Sequence, residues 1–294
     1  MGTEPGNFVG MVYAPSPGLL VNTEVRRLLR APSWGSSDRT RDGLSLVIPA
    51  YNEEDRIRPT LVSYLDGIAT LKVPYEVIVV IDGQDDTAGV VREFASRGVR
   101  AVEFTQKLGR GGAIFEGFRQ ARFGTVAYAD ADGSIPISDG LALIRRALQG
   151  SPAVVASRRL APESVVVPES STKRFASLTW FLLVKAFLGV RVKDSHCGFK
   201  VFDREVVQML LRRVTVTNRT FEVGMMYHVG AAGVPIEEVP VGYIHDERTR
   251  MPLGKAIPVM FATLLGMFLA NRTRLSRRVV GRLGRRFNTR FASV

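Results

Sequence analysis

Two carboxylates, Asp130 and Asp132, stand two residues apart directly after an apolar run at residues 125–129. Burying an ionised carboxylate without a partner is unfavourable, and two carboxylates close together repel each other. A divalent cation offsets both costs, because carboxylate oxygens suit Mg²⁺ or Mn²⁺ and the same ion can bind phosphate groups. The pair also fits a simple turn, since Asp-Gly-Ser is common turn chemistry. With its surroundings, it predicts a metal site that contacts a phosphorylated ligand.

A glycine-rich segment at residues 106–113 opens a predicted helix. Its Gly109, Arg110 and Gly111 suit a diphosphate, because small residues let the backbone approach a ligand and a helix N-terminus favours anions. The segment is not a dinucleotide-binding fingerprint, since it follows the third predicted strand and lacks the final glycine. It also lacks the Lys-Ser/Thr ending of a Walker loop. Diphosphate binding is therefore the predicted role.

Further polar residues follow the first two predicted strands. Pro49 is expected to end the pairing of its strand because it has no N–H. Tyr51 and Glu53, just beyond it, are predicted to line a pocket for a nucleobase and its ribose. Asp82 is placed to accept a hydrogen bond from a base N–H. Structural roles stay open here, because Asn52 can cap the next helix and the acidic loop after Asp82 can be solvated.

Runs rich in Val, Ile or Ala alternate with helix-length segments from residue 44 onward. Strands are predicted at residues 44–49, 76–81, 101–104, 125–129 and 153–156, and helices at residues 53–71, 86–97, 111–122 and 138–149. This alternation predicts an α/β fold with right-handed crossovers and a mostly parallel sheet. In such sheets ligands bind beyond the carboxyl ends of the strands, where Asp82 and Asp130 fall.

The chain divides into three predicted regions. They are an N-terminal extension at residues 1–40 with a short helix near 21–29, a main domain at residues 41–255, and an apolar helix with an arginine-rich tail at residues 256–294. Within the main domain the alternation ends after residue 157. An apolar segment at 175–190, a helix from Phe221 and a strand at 235–244 are expected to cap the sheet edge.

Composition narrows the class of protein. The chain has 294 residues, a net charge of +12 and one cysteine, Cys197. A lone cysteine allows no internal disulfide, which favours a reducing compartment. A zinc site is disfavoured, since His196, His228 and His245 lack ligand-like spacing. Much of the excess charge lies in residues 256–294, which contain no acidic residue.

The sequence predicts a cytoplasmic protein that is peripheral at the cytoplasmic face of a membrane. The start of the chain lacks the pattern of a signal peptide. The apolar, uncharged run at residues 256–271 is shorter than a bilayer span and contains Pro258. It fits a helix that lies on a membrane surface, with the arginines behind it meeting anionic headgroups. An ordinary core helix with a basic tail fits equally well.

These segments in this order resemble the family-2 inverting glycosyltransferases, and among them the polyprenyl-phosphate (dolichyl-phosphate) glucose and mannose synthases. The resemblance runs from about residue 44 to 255 and includes Ser157-Arg158, Phe221-Glu222 and the segment Asp-Ser-His-Cys-Gly-Phe-Lys at 194–200. It implies a GT-A fold, a UDP- or GDP-linked sugar donor and Mg²⁺ or Mn²⁺. It also implies transfer onto a lipid phosphate at a membrane surface.

The resemblance also implies roles for individual residues. Asp130 and Asp132 would hold the metal. The nucleotide sugar would bind Pro49, Tyr51, Glu53, Asp82, Gly109, Arg110, Gly111 and Asp130. The catalytic residues would be Asp132, Arg158, Asp194 and Glu222. The acceptor phosphate would meet Arg158, Arg159, Arg174 and Lys255, because a guanidinium grips phosphate through two hydrogen bonds. Each of these arginines also fits a solvated surface charge.

A single in-line displacement at the anomeric carbon of the sugar is expected. A phosphate monoester has a second pKa of about 6, so an acceptor of this kind is ionised near neutral pH and needs no strong base. Asp194 and Glu222 are expected to orient sugar hydroxyls, or to act as a base if the acceptor is an alcohol.

The chain departs from the family pattern at several positions, and other functions stay open. Ile81 stands where Asp is usual, Lys107 where Asn is usual, and Glu222 and Gly224 where Asp and Glu are usual. One alternative is the same donor chemistry on a small soluble acceptor. Others are a non-catalytic nucleotide-sugar binder and a nucleic-acid-binding protein with the arginine-rich tail as its footprint. A homo-oligomer is also open.

Overall fold

The computed structural model describes residues 11–13, 43–160, 171–218, 220–244 and 253–273. The strands in these ranges are β1 Met11–Tyr13, β2 Leu44–Ala50, β3 Tyr75–Ile81, β4 Val99–Glu103, β5 Thr125–Ala129, β6 Ala153–Ser157, β7 Phe199–Asp203 and β8 Ile236–Pro240. The helices are α1 Ile57–Ala69, α2 Thr87–Arg92, α3 Gly109–Gln120, α4 Ile137–Leu148, α5 Ser171–Leu188, α6 Arg204–Arg213, α7 Phe221–Ala231 and α8 Leu253–Thr273, with a 3-10 turn at Ala95–Arg97.

The strands of the described residues form one eight-stranded sheet in the order β1-β8-β6-β7-β5-β2-β3-β4. β2 pairs in parallel with β3 and β5, β3 with β4, and β6 with β8. β7 runs antiparallel between β5 and β6, and β1 runs antiparallel to β8. The predicted α/β fold with a mostly parallel sheet is confirmed.

Two strands of this sheet have no counterpart in the sequence-based prediction. β7 follows an irregular loop rather than a helix, so the strand-helix alternation did not indicate it. β1 falls within the predicted extension at residues 1–40 and is three residues long, too short to leave a periodic pattern. The predicted helix near 21–29 and the arginine-rich tail beyond residue 273 lie outside the described residues.

Both faces of the sheet are covered by helices, which explains why its central strands are continuous apolar runs. Side chains alternate between the two faces along β2. Leu46 and Ile48 pack into one core cluster with residues of α1 and α4. Val47 packs into the other, with residues of α3, α6 and α7. Pro49 does not end the strand as expected, because β2 continues to Ala50 and Pro49 stays in register with Val80 of β3.

The parallel strands end at one edge of the sheet, and the reversed β7 begins there. Ala129, the last residue of β5, pairs with Phe199, the first residue of β7. The loop before β7 is therefore brought against the loop after β5. As a result, the polar segments that follow β2, β3, β5 and β6 share this edge with the segment 194–198.

Helices α5 and α8 pack together through Phe187. Its ring centroid lies 6.5 Å from that of Phe261 and 5.0 Å from that of Phe268. Each helix also carries an exposed apolar stripe at a spacing of four residues, formed by Leu178 and Leu182 on α5 and by Phe261, Leu265 and Leu269 on α8. Among the described residues, no helix has the length and apolar character needed to cross a membrane.

Candidate active site

The Asp-x-Asp pair lies in the loop that leaves β5. Asp130 is held against β7, since its backbone N–H donates to the carbonyl of Gly198 at 3.2 Å. Its carboxylate fills the space a side chain at position 198 would need, because a Cβ there would lie 1.9 Å from Asp130 Oδ2. Asp132 Oδ1 accepts the N–H of Ser134 at 3.0 Å, which orders the turn. The two predicted metal ligands thus stand in one loop at the carboxyl edge of the sheet.

Arg110 joins this loop to the other side of the site. Its Nε donates to Asp130 Oδ1 at 2.7 Å, and its Nη1 lies 3.1 Å from Glu222 Oε2. The guanidinium also lies over the rings of Tyr128 and Phe221, at 5.8 and 5.4 Å from their centroids. One residue of the predicted diphosphate loop is therefore already fixed between two carboxylates, with a side chain that stays about one-third exposed (36%).

A buried network that sequence reasoning missed supports Arg110. The ammonium of Lys200 is fully buried and donates to Tyr128 Oη at 2.8 Å, to Glu222 Oε1 at 2.9 Å and to the carbonyl of Cys197 at 2.7 Å. Tyr128 donates its own hydroxyl proton to Glu222 Oε1 at 2.6 Å. Two features of the sequence could have indicated this network. Lys200 lies in the strand-like segment Phe-Lys-Val-Phe, and Tyr128 lies in the apolar run before Asp130.

The charges of this network set the ionisation of Glu222. Burial alone would raise the pKa of this carboxyl, but Arg110 and Lys200 outweigh it and hold the pKa well below its usual range. Burial raises the pKa of the Cys197 thiol to about 12, so the thiol stays protonated at neutral pH. Glu222 is thus a permanent anion that anchors two cations.

A third carboxylate faces the Asp-x-Asp pair. Burial raises the pKa of Glu53, and the charges of Asp132 and Asp130 raise it further, against the opposing effect of Arg56. Glu53 Oε1 pairs with Arg56 at 2.7 Å, whereas its Oε2 is buried without a hydrogen-bond partner among the described residues. Burial and Asp132 likewise raise the pKa of Asp130, in opposition to Arg110.

This excess of negative charge fits a divalent cation. Burial and carboxylate repulsion together raise the two pKa values, and Mg²⁺ or Mn²⁺, which prefer carboxylate oxygens, would offset both effects. In the part of the chain that the structure describes, no cluster of three or more His, Cys, Asp or Glu is placed to chelate a metal alone. A cation held by Asp132 and Asp130 would therefore share its coordination with a ligand such as a diphosphate, which is typical of Mg²⁺.

The predicted nucleotide side lies at the ends of β2 and β3. Tyr51 exposes its ring, and Lys107 Nζ sits 4.1 Å from the ring centroid. Asp82 Oδ2 accepts the N–H groups of Leu108 and Gly109, both at 2.7 Å, so this carboxylate fixes the start of α3. The exposed aromatic face beside a lysine suits a nucleobase.

Gly109 and Gly111, the two glycines predicted to meet the diphosphate, have different reasons to lack a side chain. Gly109 has a φ of 69°, which favours glycine, and a Cβ there would meet nothing within 4 Å. At Gly111 a Cβ would lie 2.5 Å from the carbonyl of Thr217, so this glycine permits the close approach of the chain before α7. Open space for a ligand therefore lies beside Gly109, while its N–H is already donated to Asp82.

The predicted acceptor side is centred on Arg158, which follows β6. Its Nε and Nη2 donate to the two oxygens of Asp194 at 2.8 and 3.0 Å, and its guanidinium lies 4.9 Å from the ring centroid of Tyr243. Asp194 is placed by Glu238, which accepts its backbone N–H at 2.9 Å. Burial would raise the pKa of Asp194, but Arg158 outweighs it and lowers the pKa.

Arg159, the neighbouring cation, points to helix α5. Its guanidinium lies 5.4 Å from the ring centroid of Phe181. The side chains of Arg174 and Lys255 lie outside the described ones, although their backbones belong to α5 and α8. The structure thus brings eleven predicted residues to one edge of the sheet, namely Pro49, Tyr51, Glu53, Asp82, Gly109, Arg110, Asp130, Asp132, Arg158, Asp194 and Glu222.

Comparison with known proteins agrees with this arrangement. Residues 45–211 match the family described as Glycosyl transferase family 2. The chain is 31% identical over 229 residues to the dolichyl-phosphate beta-glucosyltransferase of Homo sapiens, covering 71% of this chain and 69% of that protein. Mannosyl-3-phosphoglycerate synthase from Rubrobacter xylanophilus has a TM-score of 0.59 at 20% identity, covering 80% of this chain and 76% of that one.

A second solved structure shares the fold. Glucosyl-3-phosphoglycerate synthase from Mycobacterium tuberculosis, crystallised with Mn²⁺, UDP-glucose and phosphoglyceric acid, has a TM-score of 0.54 at 20% identity, covering 79% of this chain and 80% of that one. The GT-A fold implied by the sequence resemblance is confirmed by these matches. From the match to the family model and the 31% identity to the Homo sapiens relative, the chain belongs to glycosyl transferase family 2.

Proposed function

We propose that this glycosyltransferase moves glucose from UDP-glucose to a polyprenyl phosphate at a membrane surface, with Mg²⁺ or Mn²⁺ bound at Asp130 and Asp132. One observation carries the proposal. A single edge of the sheet holds the loop of Asp130 and Asp132, with Arg110 and the start of α3 on one side and the Arg158–Arg159 pair on the other. A donor diphosphate and an acceptor phosphate can therefore meet across the carboxylates.

Support for the donor comes from the nucleotide side. Tyr51 and Lys107 offer a face for a base, and the open space beside Gly109 at the start of α3 suits a diphosphate. Curated relatives are named dolichyl-phosphate beta-glucosyltransferases, and a solved relative of the same fold was crystallised with UDP-glucose. Glucose and UDP are therefore the first donor parts to test, ahead of GDP-mannose.

Support for a lipid acceptor comes from α5 and α8. Arg159 contacts Phe181 on α5, so the acceptor cations adjoin the helix that carries the exposed stripe of Leu178 and Leu182. A stripe of this kind fits the apolar level of a membrane or a prenyl chain, while the arginines meet phosphate at the headgroup level. The same two helices can thus place the tail of the acceptor outside and its phosphate inside the site.

The proposed chemistry is one displacement. An oxygen of the acceptor phosphate attacks the anomeric carbon as the bond from that carbon to the donor diphosphate breaks, and UDP leaves with the bonding electrons. The bound cation would supply charge neutralisation on the leaving diphosphate. Arg158 and Arg159 bind and orient the acceptor phosphate, which is already ionised and gives up no proton.

Asp194 and Glu222 take positioning roles in this proposal rather than the base role considered from the sequence. Both are paired with cations, and both have lowered pKa values, so they are weak proton acceptors. Asp194 holds Arg158 through two hydrogen bonds, and Glu222 holds Arg110. Removing either carboxylate would release the cation it holds.

The test uses the full chain, radiolabelled UDP-glucose and vesicles that contain a polyprenyl phosphate, with Mn²⁺ or with a chelator. We expect cation-dependent label in the lipid extract and little label from GDP-mannose or UDP-N-acetylglucosamine. Transfer to soluble phosphorylated or hydroxylated acceptors alone would overturn the lipid acceptor. Absence of transfer from every donor would overturn the enzymatic assignment.

A further inference from the structure

Two buried polar atoms lie on neighbouring aromatic rings, one of them in the loop that follows Asp194. The rings of Trp180 and His196 meet edge to face, with centroids 6.1 Å apart and an interplanar angle of 60°. Trp180 Nε1 and His196 Nε2 are both buried, and neither finds a hydrogen-bond partner within the residues that the structure describes. Native proteins rarely leave buried polar atoms unsatisfied. Two of them on adjoining rings indicate a ligand group that serves both.

His196 is built into the site rather than into a remote loop. Its Nδ1 lies 3.1 Å from Ser195 Oγ, which fixes the ring from the other side. Two residues later, the carbonyl of Gly198 accepts the N–H of Asp130. The charges of Glu222, Asp194, Lys200 and Arg110 all act on the imidazole. The ring therefore belongs to the loop between Asp194, which holds Arg158, and Gly198, which contacts Asp130.

Trp180 reaches the same place from α5. The next residue on this helix, Phe181, carries the guanidinium of Arg159 on its ring. Trp180 thus meets His196 beside the loop that links Asp194, the partner of Arg158, to Gly198, which contacts Asp130. A ligand group bound by both rings would lie beside the loop that joins the proposed acceptor side to the proposed metal loop.

The hydrogen-bonding properties of Trp180 Nε1 and His196 Nε2 indicate which ligand group they bind. An indole Nε1 only donates, whereas a neutral imidazole Nε2 donates or accepts according to its tautomer. Burial lowers the pKa of His196, which favours the neutral ring. A hydroxyl suits either tautomer, because its oxygen accepts from Trp180 and then donates to His196 or accepts a second bond from it. A phosphate oxygen suits only one of the two tautomers.

We propose that Trp180 and His196 together bind one hydroxyl group of the sugar that is transferred, and so determine which sugars the enzyme accepts. This inference rests on the proposed glycosyl transfer. A site that is built to hydrogen-bond a substrate hydroxyl discriminates strongly against an analogue that lacks it, because its own polar atoms are then left unpaired.

The first experiment compares UDP-glucose with its 2-, 3-, 4- and 6-deoxy analogues in the wild type, Trp180→Phe and His196→Phe. We expect one analogue to lose roughly tenfold or more in kcat/KM with the wild type. The same analogue should lose little in either variant, because the partner of that hydroxyl is already gone. Tyr227→Phe on α7 removes a phenol outside the site and serves as the matched control, which should keep the wild-type ratios.

If every analogue keeps its wild-type ratio in both variants, the inference is overturned, and ordered water or packing explains the two atoms. Such a result leaves the proposed function intact, since UDP-glucose is still used. Failure of the wild type to bind or use any sugar nucleotide would overturn both proposals together.

A second measurement does not depend on turnover. The chain has two tryptophans, Trp34 and Trp180. In a Trp34→Phe background the remaining emission reports on Trp180 alone. We expect UDP-glucose with Mn²⁺ to change this emission, and UDP with Mn²⁺ to change it much less. Equal responses to the two ligands would show that the sugar does not reach Trp180, which contradicts the inference.

Discussion

The Nε of Arg110 lies 2.7 Å from Asp130 Oδ1, so a cation of the protein already neutralises one member of the Asp-x-Asp pair. Asp132 has no such partner among the described side chains and contacts only the N–H of Ser134 through one oxygen. The two carboxylates are therefore not equivalent. Asp132 is the more available ligand for the proposed metal, while Asp130 links the proposed metal site to the buried network behind Arg110.

Replacement of Asp132 should abolish most of the activity. We expect Asp132→Asn to lower kcat by roughly 10²–10³-fold, since a metal that stabilises a leaving diphosphate contributes several kcal/mol. Affinity for Mn²⁺ in the presence of UDP, measured by calorimetry, should fall as well. Asp66→Asn, at an exposed carboxylate on α1 that pairs with Arg97, is the control and should match the wild type. Full activity in Asp132→Asn would refute the metal assignment.

Position 198 should tolerate no side chain. In Gly198→Ala the new Cβ would lie 1.9 Å from Asp130 Oδ2, so the carboxylate has to move. We expect Mn²⁺ affinity and kcat to fall by about tenfold or more, in line with the loss of an orienting contact at a metal site. Gly230→Ala, in α7, meets nothing within 4 Å and should leave both quantities unchanged. Equal behaviour of the two variants would contradict the proposed contact.

Removal of the buried ammonium should cost stability. Lys200→Met leaves Glu222 buried with one cation fewer, and breaking a buried ion pair typically costs about 3–5 kcal/mol. The free energy of unfolding, measured by urea denaturation, should drop by this order. Lys185→Met removes an exposed lysine of α5 and should change it little. A loss of similar size in both variants would argue against the network.

The pH dependence of stability should include a contribution from His196. Burial lowers its pKa in the folded chain below the ordinary 6.5. When the pH falls below 6.5, this histidine takes up a proton in the unfolded chain but not in the folded one. The free energy of unfolding therefore decreases by up to about 1.4 kcal/mol per pH unit, until the pH reaches the lowered pKa of the folded state. Above pH 6.5 the effect is absent.

Urea unfolding of the wild type and His196→Gln at pH 7.5 and pH 5.5 measures this contribution. The variant cannot titrate at this position, so its loss of stability between the two pH values should be smaller. If both proteins lose the same amount, His196 does not carry a lowered pKa.

The sequence predicted the sheet and the loops at its carboxyl edge because both depend on local patterns. Buried parallel strands are apolar runs, and Asp82, Asp130 and Arg158 follow such runs directly. The local sequence pattern did not predict the antiparallel strand β7. β7 carries Gly198 to Asp130 and Lys200 to Tyr128, and these contacts follow only from its antiparallel register with β5.

Ion pairs between residues far apart in the sequence could not be predicted from local sequence patterns either. Arg110 and Glu222 are 112 residues apart, and Arg158 and Asp194 are 36 apart. Each of these four residues was predicted as a site residue from its motif. Their mutual pairing was not, because the type of a residue indicates the charge it carries but not which opposite charge the fold places beside it.

The strand at Met11–Tyr13 has a consequence for handling the protein. It pairs along Ile236, Glu237 and Glu238 of β8, which would otherwise present unsatisfied backbone N–H and C=O groups to a neighbouring molecule. Bare strands of this kind template intermolecular pairing. Removing the residues before position 43 for crystallisation would therefore invite aggregation, although these residues lie far from the carboxylates in sequence.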